Sequence, residues 1–216
     1  MRGKLPGFIL VIGQAVMDWW DAWLDSALIT LIWVVAQFTI VLGPPATFGV
    51  YYVVNNMFSG DNLGVRGMIT GMKIYFGKAW IWGAINLFAI LVIYTNVVFY
   101  RQWNSPFAPY LLTFILILAG MWFFSAFYSL PFFMELQKPS VLLAIRNGWL
   151  LILAAPLYSL GLFILITVIW TLSILLILPF FLGIPMITAN LGGRAVQDRL
   201  VKYGIRKEDA DPREIR

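Results

Sequence analysis

The chain contains no histidine and no cysteine. Without imidazole it has no base of that kind near neutral pH, no Ser-His pair and no histidine metal ligand. Without thiols it has no disulfide, no thiolate nucleophile, no thiolate metal site and no cysteine lipid anchor. Charge is scarce too. Asp, Glu, Lys and Arg make up 12% of the 216 residues, against roughly 25% in soluble domains. The carboxylates and hydroxyls form no compact acid/base or metal-ligand grouping, so the expectation is a non-enzymatic protein with no cofactor and no metal.

Apolar surface is what the chain has in excess: 61% of residues are hydrophobic and the mean hydropathy is +0.85. A single soluble core of this length cannot bury so much, and the surplus must face lipid. Runs such as AWIWGAINLFAILVIYTNVVFY are continuously apolar, whereas barrel strands alternate. The expected fold class is therefore all-α, a polytopic helical membrane protein. About five transmembrane helices are accompanied by interfacial amphipathic helices in one domain over 1–203, followed by a mixed-charge cytoplasmic tail over 204–216.

Crossing a bilayer takes roughly 20 apolar residues. Spans are expected at 26–42, 79–100, 109–130, 156–176 and 178–191, the last two cut from one charge-free run. The N-terminal MRGKLPGFILVIGQAVM resembles a signal peptide, but no small-x-small cleavage site follows it. It reads as a retained amphipathic helix lying in the membrane plane.

The net charge of +5 is unevenly placed. The five spans put Arg66, Lys73, Lys78, Lys138, Arg146 and the seven basic residues from Arg194 onward on one side. Arg2, Lys4 and Arg101 fall on the other, where Asp18, Asp21 and Asp25 form an acidic cluster at the boundary. The positive-inside rule then sets an external N-terminus and a cytoplasmic C-terminus. Arg66, Lys73, Lys78, Arg194, Arg199 and Lys202 are assigned to the membrane surface. There the expected partner is anionic lipid, not nucleic acid.

The stretch VLGPPATFGVYYVVNN (41–56) breaks the apolar pattern. Gly43 in a left-handed conformation would end the first span, and Pro44 or Pro45 would start a new helix. The segment after it is too short to cross. It can be a kinked continuation, a re-entrant element or a helix at the inner boundary. LGVRGMITGMKIYFGKAW should follow as a surface helix feeding the second span, with Gly67-x-x-x-Gly71 as a small-residue packing motif. Gln37 and Asn86 are polar groups inside expected spans, and Gly83 shares a face with Asn86. They serve either helix packing or a polar path.

GPPATFGVYY followed by MKIYFGKAW resembles the YesL-like family of bacterial membrane proteins of unknown function, and LLAIRNGWLLILAAP extends the likeness. The doubled proline departs from the single one of that pattern. The resemblance covers most of the chain and implies a small multi-helix protein of a bacterial plasma membrane. It also implies an accessory or assembly role in carbohydrate uptake, with a sugar transporter permease as partner. The family supplies no catalytic residues. A small transporter or channel is the other reading of the same sequence.

Overall fold

The computed structural model describes residues 7–176 and 181–205, and it is helical throughout. The helices are α1 (Gly7–Asp21), α2 (Trp23–Phe38), α3 (Gly43–Met57), α4 (Gly64–Ile74) and α5 (Phe76–Gln102). They continue with α6 (Ala108–Glu135), α7 (Val141–Ala154), α8 (Pro156–Leu176) and a last helix, Ile184–Lys202, called α9 here. The tail assigned to 204–216 lies outside the described residues from 206 onward, as does the start of the span expected at 178–191.

Among the described residues three helices, α5, α6 and α8, are long and apolar enough to cross a bilayer. At 1.5 Å per residue, the 27 residues of α5 extend about 40 Å, more than the roughly 30 Å hydrocarbon core. The expected spans at 79–100, 109–130 and 156–176 fall within these helices. The other two expected spans do not form as drawn. Helix α2 has 16 residues and ends at Phe38, short of a crossing by itself. It joins α1 at a bend of 87°, and only the bent pair together would bring the number of spans to four. The segment at 178–191 is replaced by α9, which begins six residues later and continues to Lys202.

The break at Gly-Pro-Pro is real, and its mechanism differs from the expectation. Ile40, not Gly43, adopts the left-handed conformation, with φ of 58°. For a β-branched residue that costs about 1–2 kcal/mol. Gly43 instead opens α3, with proline at the first helical positions, where a missing N–H costs nothing. A hydrogen-bonded cluster holds the corner. The Trp33 indole donates to Thr47 Oγ1 at 3.1 Å, and Thr47 Oγ1 and Gln37 Nε2 both donate to the Gly43 carbonyl. The break is therefore no kink in a continuous helix.

Helix α3 is largely enclosed by the rest of the protein. Ten of its fifteen residues are buried, among them Phe48, Val50, Val53 and Val54. Small residues allow this. A Cβ on Gly49 would stand 2.6 Å from the Met68 carbonyl oxygen, so α4 can approach only because glycine is there. Gly67 and Gly71 face α3 in the same way, against Val53 and Tyr52. The small-residue motif thus packs two helices inside the protein, while Arg66 and Lys73 remain on the exposed face of α4. Phe48 completes the layer by meeting Trp82 and Phe133 edge-on at 6.0 and 5.0 Å.

Helices α5 and α6 form an antiparallel hairpin. Trp82 pairs with Ser129 near its base, and Asn86 with Trp122 one turn further on. Of the 27 residues of α5 only Ala79 is buried. The apolar faces beyond that base look outward, as lipid-facing helices do.

Candidate functional site

The polar chemistry converges on α9. Eleven of its nineteen residues are buried, although it carries Asn190, Arg194, Gln197, Asp198 and Arg199. It packs against α1, α3, α6, α2 and α8. Two contacts set its course along α8. Trp170 donates to Thr188 at 3.0 Å, and the Arg199 guanidinium stacks on the Tyr158 ring at 3.9 Å. The two pairs occur in opposite chain order, so α9 runs antiparallel to α8 and alongside it. Helix α1 runs antiparallel along α9 as well, with Gly7 beside Asp198 and the Trp19 indole donating to the Leu182 carbonyl at 2.8 Å.

Charges among packed apolar helices persist only when paired. Arg194 donates from Nε and Nη2 to the two carboxylate oxygens of Asp18, at 3.0 and 3.1 Å. This bidentate geometry suits guanidinium and carboxylate. The same guanidinium lies over Phe58 at 4.5 Å from the ring centre, which adds a cation–π attraction. Arg199 Nε donates to Asp198 at 2.8 Å. Asp198 stands at the N-terminal turn of α1, where the helix dipole favours negative charge. Gln197 donates to Glu135 at 2.9 Å and ties α9 to the end of α6.

These pairings bear on two expectations. Arg194, with its side chain a quarter exposed, is neutralised by Asp18, and Arg199 is buried beside Asp198, so neither is a free surface cation. Nor does the acidic cluster sit across the membrane from the basic segments. Asp18 touches Arg194, and Asp25 accepts from Asn62 at 3.0 Å, beside the α3–α4 turn assigned to the opposite side. Of the remaining basic residues Arg66, Lys73 and Lys202 are exposed. Lys78 is half-buried, within 6 Å of the Tyr75 and Phe133 ring centres.

Of the residues singled out for a polar path, Gln37 and Gly83 lie at the corner between α2 and α3, whereas Asn86 belongs to the α5–α6 hairpin. Gln37 donates to Gly43. Pro44 packs on Gly83, where a Cβ would be 3.0 Å away. One turn along α5, Asn86 donates to the Trp82 carbonyl at 2.9 Å and accepts from the Trp122 indole at 3.2 Å. Every one of these groups is engaged within the protein, in the manner of helix packing. Trp122→Phe, which removes one donor, should lower stability in detergent by about 0.6–1.7 kcal/mol, read as a shift of the unfolding midpoint.

A cavity of about 330 Å³ lies where α6, α7 and α9 meet. Phe132, Leu151 and Leu200 give it apolar walls, and Glu135, Asn147 and Arg199 stand in its lining. Sequence reasoning missed both this cavity and the Asp18–Arg194 pair. One signal was present: Asn190, Arg194 and Asp198 recur every fourth residue, the spacing of one helix face.

Fold and site together define an α-helical membrane protein organised around a polar helix whose two arginines are each paired with a carboxylate. No family model matches the chain, and neither does any curated protein or solved structure.

Proposed function

We propose that the protein is a non-enzymatic accessory or assembly component of a bacterial plasma membrane, acting beside a sugar permease with its basic C-terminal end on the cytoplasmic side. The observation that carries the reading is α5, with a single buried residue along 27. A hairpin whose faces are left open offers contact area to another membrane protein. The engaged state of Gln37, Asn86 and Arg194 supports packing over transport. The carbohydrate part rests on the likeness of GPPATFGVYY and MKIYFGKAW to the YesL-like pattern.

Photo-crosslinking residues at Phe88 and Phe114, both exposed on the hairpin, test this. A sugar permease should be captured from both positions and recovered in stoichiometric amount in mild detergent. Solute flux by the purified protein alone in liposomes would favour the small transporter or channel and overturn the accessory role.

A further inference from the structure

We propose that the cavity between α6, α7 and α9 binds one acyl chain of an anionic phospholipid, whose headgroup is held at the rim by Arg146 and Lys202. At about 330 Å³ the space is at the lower end of the roughly 300–1,000 Å³ of small-molecule sites. It is too small for a whole phospholipid and suited to part of one chain. Its lining is mainly apolar, and its edge includes Leu150, Tyr203 and Ile205, all exposed. Helix α7 also exposes Leu142, Leu143 and Leu153, which adds apolar surface next to the cavity.

Three of the polar groups in the lining are held by the protein. Glu135 accepts from Gln197, Arg199 is paired with Asp198, and the Tyr203 hydroxyl donates to the Ala154 carbonyl. Two cations adjoin lining residues along the chain. Arg146 is exposed one helical turn before Leu150, and Lys202 is exposed between the lining residues Arg199 and Tyr203. An apolar recess with exposed cations on adjoining helical turns is complementary to an acyl chain carrying a negative headgroup.

The inference is independent of the accessory role. Its test is native mass spectrometry of the purified protein, titrated with phosphatidylglycerol or phosphatidylcholine of identical chains. One phosphatidylglycerol should bind at least five-fold more tightly than phosphatidylcholine. Ala154→Trp, which fills the cavity, should weaken binding of both lipids at least ten-fold, whereas Leu157→Trp on the lipid-exposed face of α8 should leave it unchanged. Arg146→Gln with Lys202→Gln should bring the two lipids within two-fold of each other. If Ala154→Trp does not fold, this exposed pair decides the matter by itself. Undiminished binding by a folded Ala154→Trp, or a headgroup preference that survives the double change, would overturn the assignment.

Discussion

Asp18→Asn is expected to lower the unfolding free energy of the protein in detergent by about 2–3 kcal/mol. Arg194 donates to both carboxylate oxygens, and the two side chains are each only 25% exposed. Removing the negative charge leaves a largely buried guanidinium without its counter-ion, stacked over Phe58. Breaking a fully buried pair costs about 3–5 kcal/mol, and the residual exposure reduces that figure. Arg194→Met alone should be similarly harmful, since it strands the carboxylate. Asp18→Asn combined with Arg194→Met should be less destabilised than the sum of the single changes. Chemical denaturation of the four proteins gives the coupling energy. A value within the roughly 0.5 kcal/mol scatter of independent sites would mean that the contact does not join α1 to α9.

Gly183→Ala should be at least as damaging, at about 2–4 kcal/mol, for a different reason. The residue precedes α9 with φ of +124°, a conformation that side chains other than glycine rarely adopt. A Cβ there would also lie 2.7 Å from Trp19 Nε1 and 2.8 Å from Ser26 Cβ. The substitution therefore strains the backbone and pushes the α1–α2 corner away from α9. It also disturbs the indole bond to Leu182. Gly77→Ala is the matched control, because it is helical with open space at the added carbon. It should stabilise by about 0.5–1 kcal/mol. Equal melting temperatures for the two variants would remove Gly183 from the determinants of the fold.

The helical membrane class was legible because it depends on quantities that add along the chain. Long apolar runs must be shielded from water, and a backbone in lipid must satisfy its own hydrogen bonds, which leaves helices. The extents of α5, α6 and α8 follow from the same local information. So does the break before Pro44, because proline acts on its own backbone. Position 40 was not legible. A left-handed Ile40 is locally unfavourable and is held by the surrounding corner, where Gln37, Thr47 and Trp33 close around Gly43.

Charge shows the limit most clearly. A count of basic residues treats each as solvated, and a polar helix after an apolar run then reads as an exit from the membrane. Whether Arg194 meets a headgroup or Asp18 depends on contacts between residues 176 positions apart. Local sequence carries no term for such a meeting. Composition and periodicity by themselves determined that this protein is built of helices in lipid. Only the tertiary structure decided that its polar helix is enclosed at the centre, because pairing at long range is what makes buried charge tolerable.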